Sequence, residues 1–296
     1  MNEKVFMNEK VKNILVTGGA GFIGTNLCRR LADIGHNVIS LDNYFTGSKA
    51  NHLPKVKYYV GHTKDIAQII FEKIDIVFHL GEYARVEKSF TEPDVVWDLN
   101  VLGTFAVAEF CRKNKATLIY AGSSTKFADN GFGRKQSPYA YSKTINSEFI
   151  KNYGDWYGLD YAITYFYNVY GPGERSNNYG TVIEIFKQLY LAGKPLTVVS
   201  PGTQERIFTH VDDIVDGLLL IGEKGSGDDF GLGMEKVYTV LEIAQMFNSE
   251  IIMLPERQGN RQSAYLDTTK SNALGWRAKK DVADYIEEIV KTRKTK

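Results

Sequence analysis

The sequence predicts an α/β fold: a doubly wound parallel sheet with helices on both faces, followed by a smaller C-terminal α/β domain. Three observations carry this. Short β-branched runs alternate with longer helical patterns as far as about residue 170. Most of those runs read as continuous apolar stretches, as in strands buried on both sides. The pattern then changes at "YGPGERSNNYG", a Gly- and Asn-rich stretch that reads as a long loop.

Taken in order, residues 1–12 are charged, carry "MNEKV" twice and lack the apolar stretch of a signal peptide. They are expected to be a disordered leader, with Met7 a second candidate start. Strands are expected at 13–17, 37–41, 56–60, 76–80, 117–121 and 161–165, and helices at 22–34, 66–72, 94–114 and 139–157. These make a first domain over 13–170. The second, over 171–296, is read as mainly substrate-binding. It takes a helix at 182–192, a strand at 196–199, a helix at 211–221, a loose Gly-rich stretch at 222–233 and a last helix from 282 to about 291.

Composition narrows the function classes. The net charge of +1 gives no reason to expect nucleic acid or a membrane surface as partner. No apolar run is long enough to span a bilayer. The two cysteines, Cys28 and Cys111, offer neither disulfide nor metal-ligand spacing, so no metal is expected and a reducing, cytoplasmic location fits.

The first chemical signal is "GGAGFIG" between the first strand and first helix. Gly18, Gly21 and Gly24 strip side chains from a turn that brings bare N–H groups, at Phe22 and Ile23, to a helix N-terminus. Such a site attracts phosphate. Asp42 ends the second strand, where a carboxylate accepts hydrogen bonds from adenosine ribose hydroxyls and repels a 2′-phosphate. The expected cofactor is NAD rather than NADP.

The second signal is "SPYAYSK". Tyr139 and Lys143 lie four apart, on one face of a helix that Ser137 can cap and Pro138 can begin. Tyr141 points elsewhere. Upstream, Ser123 closes a strand whose end faces the same site. A phenol titrates near 10, but a neighbouring ammonium and a positively charged nicotinamide both favour phenolate. Tyr139 is therefore the candidate base for a hydroxyl proton, and Ser123 the hydrogen-bonding partner of the substrate oxygen.

Taken together, "TGGAGFIG", "LDN", "FHL", "NVLGT", "SPYAYSK", "NVYGP", "FTHVDDIVDG" and "YLDTTKSNALGW" resemble the extended short-chain dehydrogenase/reductases, in the nucleotide-sugar epimerase/dehydratase family of the 4-epimerase type. The resemblance runs from Asn13 to the C-terminus and implies a Rossmann-type first domain. It implies Asn43, Leu80 and Asn100 around the cofactor, Ser124 beside Ser123 at the substrate, and Asn168 on the sugar diphosphate. It implies Arg206 and Arg257 as a pyrophosphate clamp, and Val198 with Val199 packing the nucleotide base. It also implies a homodimer in which helices 94–114 and 139–157 pair with their copies, Phe105, Ala108 and Phe110 supplying apolar surface.

Several features depart from the family, the first being a stretch between Ser123 and Tyr139 that is shorter than in most relatives. His62 stands where an Asp usually meets the adenine, and is either an adenine contact or a polar loop residue. Glu82 and Arg85 stand in a loop that is usually small and neutral, either as a local ion pair or with Arg85 lining the sugar pocket. The usual arginine before "YFN" is missing from "TYFYN". Ser124 and Thr125 occupy the places of the Asp–Glu pair of dehydratases. The expected activity is NAD-dependent epimerisation of a nucleotide-linked sugar, at C4 through a transient 4-ketone. The alternatives are a 4,6-dehydratase or net dehydrogenase, and, from another class, a catalytically silent dinucleotide-binding sensor.

Overall fold

Ile14, Leu15 and Val16 illustrate why the sheet forms where it does. Leu15 is buried with Ile39, Val77 and Leu118 in one core cluster, while Ile14 and Val16 join Val38, Ile76 and Phe78 in another. A strand with a core on each side has no solvent face, which is why its sequence does not alternate. The computed structural model describes residues 10–176, 179–256 and 265–294; the expected leader lies largely outside them.

The first half comprises β1 (Asn13–Thr17), α1 (Phe22–Asp33), β2 (Asn37–Asp42), β3 (Val56–Val60), α2 (Ile66–Ile69), β4 (Ile76–His79), α3 (Pro93–Val96), α4 (Gly103–Asn114), β5 (Thr117–Ser123), α5 (Pro138–Tyr157) and β6 (Tyr161–Phe166). The second comprises β7 (Val169–Tyr170), α6 (Val182–Leu191), β8 (Leu196–Val199), β9 (Glu205–Ile207), β10 (Thr209–His210), α7 (Val211–Lys224), β11 (Gly227–Leu232), β12 (Val237–Thr239), α8 (Val240–Met246), β13 (Ile251–Leu254), α9 (Thr269–Ala273) and α10 (Val282–Lys294).

Seven strands form one parallel sheet in the order β11-β6-β5-β4-β1-β2-β3. The order reverses at β1, which pairs with both β2 and β4. In open parallel sheets the crevice beyond the strand ends at such a switch point receives the ligand. α1 packs against α7 on one side of the sheet, and α4 against α5 on the other. A third cluster, around Phe186, Tyr190, Phe247 and Ile286, is the core of the smaller C-terminal lobe, where β13 pairs with β8.

Three expectations are corrected. Residues 222–233 are not a loose connection: α7 runs on to Lys224, and β11 then returns to the edge of the main sheet beside β6. Glycines masked that strand. A Cβ at Gly231 would sit 1.9 Å from the Asp267 carbonyl oxygen, so close backbone approach forbids a side chain there. The helix expected over 94–114 is interrupted by a π-helical stretch, Trp97–Leu102, which contains the fully buried Asn100. The helix expected over 66–72 stops at Ile69, and Glu72 instead bonds Lys57 and Tyr59. Both cysteines are free and buried. Among the described residues no helix is long and apolar enough to cross a membrane, and no cluster of metal-ligating side chains occurs.

Candidate active site

The glycine turn comes first because it sets the floor of the site. Gly18 holds φ at +71°, a conformation that L side chains rarely adopt, and a Cβ at Gly24 would lie 2.1 Å from the Gly18 carbonyl oxygen. α1 therefore starts hard against the turn. Its N-cap, Gly21, supplies no side-chain bond, which leaves the first-turn N–H groups for a ligand.

Gly18, Gly21, Phe22, Ile23 and Gly24 line one cavity of about 580 Å³, with Asp42, Asn43 and Leu80. The Asp42 carboxylate accepts from the backbone N–H of Ala20 (2.9 Å) and Tyr44 (2.7 Å). Burial raises its pKa, and those two N–H groups oppose the rise. Each oxygen keeps a further lone pair for a ribose hydroxyl. Bare amides at a helix start and a braced carboxylate fit a dinucleotide.

The far part of the same cavity is lined by Ser123, Ser124, Tyr139 and Lys143, with Arg85, Asn168 and Arg206. The site therefore brings together residues from the turn after β1 to β9. Ser137 caps α5, its Oγ accepting from the Ala140 N–H at 3.1 Å, and so fixes where Tyr139 and Lys143 emerge. Tyr141 is 47% exposed and does not line the cavity. Ser123 Oγ accepts from Thr125 N–H (3.3 Å) and from Thr125 Oγ1 (2.9 Å), leaving its own proton for another oxygen.

Not every expected site residue lines the cavity. Asn100 is fully buried behind the wall: its Oδ1 accepts from Tyr83 N–H (2.6 Å), and its amide donates to the Tyr83 carbonyl (3.2 Å) and Ser142 Oγ (2.9 Å). His62 Nε2 lies 3.0 Å from Asp98 Oδ2, while its neighbours Gly61 and Thr63 line the cavity. Val198 is buried in the C-terminal core, and Val199 is the one that lines the cavity. Asn168 Nδ2 donates to the Ile207 carbonyl at 2.8 Å. Arg257 lies outside the described residues.

Glu82 is the largest surprise. It does not pair with Arg85; its side chain is 2% exposed and forms an ion pair with Lys143 Nζ. Lys143 also donates to the Ala121 carbonyl at 2.6 Å. Around Glu82 Oε1 converge Thr104 Oγ1 (3.0 Å), Tyr120 OH (3.1 Å) and Asn146 Nδ2 (3.1 Å).

Proton directions in this network follow from counting. Thr17 Oγ1 accepts from the N–H groups of Leu80 (3.1 Å) and Gly81 (3.0 Å), so its proton goes to His79 Nδ1 at 2.7 Å. His79 then donates from Nε2 to Thr104 Oγ1 at 3.1 Å, and Thr104 donates to Glu82. Total burial supports this neutral tautomer, pulling the His79 pKa down to about 4. One signal in the sequence could have found part of the network: Asn146 is seven residues past Tyr139, on the same helix face as Lys143.

Arg85 donates from Nη1 to the Ala84 carbonyl at 2.9 Å and from Nη2 to the Tyr179 carbonyl. Its Nε is buried without a hydrogen-bond partner among the described residues. Burial works against its charge, and the nearby Glu174 opposes that effect. Burial, and then the charge of Glu184, push the Glu174 pKa up to about 8.

Residues 14–233 match the NAD dependent epimerase/dehydratase family. A Methanocaldococcus jannaschii protein provisionally named a UDP-glucose 4-epimerase is 32% identical over 295 residues, covering 94% of this chain and 97% of that one. UDP-glucuronic acid decarboxylase 1 of Danio rerio is 29% identical, covering 92% of this chain and 70% of that one. The crystal structure of Thermotoga maritima UDP-glucose 4-epimerase with UDP-glucose superposes with a TM-score of 0.88 at 28% identity, over 96% of this chain and 99% of that one. The chain belongs to the NAD-dependent epimerase/dehydratase family, and its cofactor is NAD.

Proposed function

We propose that this chain epimerises a nucleotide-linked sugar at C4, with Tyr139 as base, Lys143 as its cationic neighbour and Ser123 as hydrogen-bond donor to the reacting oxygen. The observation that carries the reading is the convergence of Tyr139, Lys143 and Ser123 on the cavity that the glycine turn opens. Bound NAD would accept hydride from C4 and return it to the opposite face. Tyr139 takes the hydroxyl proton and later gives it back. Ser123 holds the oxygen in both directions, its own lone pairs already occupied by Thr125. No second substrate is consumed. Arg206, which lines the cavity, and Arg257 are the proposed clamp on the sugar diphosphate, where guanidinium forks match phosphate oxygens.

Epimerisation is preferred to 4,6-elimination for a chemical reason. Elimination needs an acid and a base beside the Tyr–Lys pair, and Ser124 and Thr125 are hydroxyls. Glu82, the carboxylate nearest Lys143, already accepts four hydrogen bonds. A second reading, decarboxylation of a uronic acid sugar, is favoured by Arg85, a cavity-lining cation whose buried Nε lacks a partner among the described residues. The proposed assembly is a homodimer, and the two free cysteines fit the cytoplasm.

The test is incubation with NAD and a panel of nucleotide hexoses and uronic acids, followed by chromatography, mass spectrometry and proton NMR. A C4-inverted product of unchanged mass is expected, and none with Tyr139→Phe. Loss of one water identifies a dehydratase and loss of carbon dioxide a decarboxylase. NADH accumulating with a stable ketone identifies a dehydrogenase. Binding without turnover identifies a sensor.

A further inference from the structure

We propose that Glu82 is a positioning residue for the Tyr139–Lys143 pair: it aims the lysine and supplies a buried counter-charge that weakens the lysine's pull on the tyrosine proton. The inference rests on Tyr139 being the base.

The geometry supports both halves. An ammonium has three donors. Two are committed, to Glu82 and to the Ala121 carbonyl, so the third is the one left for the cavity that Lys143 lines. Glu82 is itself held from behind. The chain Thr17→His79→Thr104→Glu82 delivers a proton donor to Oε1, and Asn146 and Tyr120 deliver two more. Every group around it donates, and only a carboxylate accepts from all four. Asn146 also donates to the Asn100 carbonyl, tying the network to the π-helical stretch.

A lone ammonium near a phenol favours phenolate, whereas an ammonium joined to a carboxylate presents little net charge. The groups facing the pair are Glu82 and Arg85 from the loop after β4, His79 from β4, Tyr120 from β5 and Glu174 from the loop before α6, beyond Arg85. His79 is neutral, and Tyr120 lies with its ring 5.0 Å from Lys143 Nζ. The positive charge remaining on the cavity around Tyr139 is then that of Arg85 and Arg206 and of bound oxidised cofactor. An occupied cofactor site thereby adds to the charge that favours proton removal by Tyr139.

The experiment compares kcat/KM against pH for the wild type, Glu82→Gln and Glu82→Asp on whichever nucleotide sugar is turned over. Thermal melts and NAD titration establish that each variant is folded. Glu82→Gln keeps an acceptor oxygen but loses the charge, and its acid limb is expected to move down by about one pH unit. Glu82→Asp keeps the charge one methylene further back, and is expected to lose kcat with the limb in place. An independent reading is the phenolate absorbance of the NAD complex, taken as the difference from Tyr139→Phe, which should move with the limb.

A limb and an absorbance step that stay put in Glu82→Gln overturn the proposal, as does an equal shift in both variants. If Tyr139→Phe turns over at the wild-type rate, the base assignment fails and takes this inference with it. An inactive Tyr139→Phe with an unmoved limb removes this inference alone.

Discussion

At the residue scale, a few side chains carry most of the chemistry, and each is constrained by what it already bonds. Asp42 is braced by two backbone N–H groups at the end of β2. NAD is expected to bind the apo protein at least tenfold more tightly than NADP, because a 2′-phosphate would meet this carboxylate; equal affinities by calorimetry would remove Asp42 from that role. His79 has a stability signature. Its pKa falls from 6.5 to about 4 on burial. The unfolded chain takes up the proton first, so the contribution is complete above pH 6.5 and is lost as pH falls towards 4. The loss is on the order of 3 kcal/mol. Urea unfolding at pH 7 and pH 4.5 should show His79→Gln losing less stability than wild type between the two.

At the element scale, the site depends on where two helices begin. α1 starts against the Gly18 carbonyl, with no room for a Cβ at Gly24. Gly24→Ala must displace either the turn or the helix, and overpacking of this kind costs about 1–3 kcal/mol. The expected result is a lower melting temperature and weaker NAD binding. A variant that melts and binds like wild type would show that the turn is not held as tightly as the contact implies. α5 starts at the Ser137 cap. Ser137→Ala should cost about 1 kcal/mol and, by loosening the first turn that carries Tyr139, lower kcat more than NAD affinity. Loss of stability with kcat intact would separate the cap from the chemistry.

At the scale of the whole molecule, the apolar surface on α4, α5 and the π-helical stretch remains to be covered. Trp97, Leu102, Phe105, Tyr141, Trp156 and Tyr157 are all exposed. Of the three residues expected to supply the dimer surface, Phe105 is exposed and touches Phe149, whereas Ala108 and Phe110 are buried in the sheet-side core. A homodimer is expected by light scattering at micromolar concentration, and Phe105→Glu should shift it towards monomer. A wild-type monomer would leave this face for another purpose.

The central strands, the glycine turn with Asp42, and the Tyr139–Lys143 pair are legible in the sequence. These are local signals: a continuous apolar run, a steric demand at Gly18 and Gly24, and a four-residue helical spacing each act within about twenty residues. The return of β11 to the main sheet is set by tertiary contact, because Gly231 answers to the distant Asp267 backbone rather than to strand propensity. Tertiary contact also decides that Glu82 pairs with Lys143, 61 residues away, rather than with nearby Arg85. A charged side chain read in sequence is a solvated one by default. Folding buries this carboxylate among donors from β5, α4 and α5, and which donors converge on it depends on the packing of elements that no local pattern records.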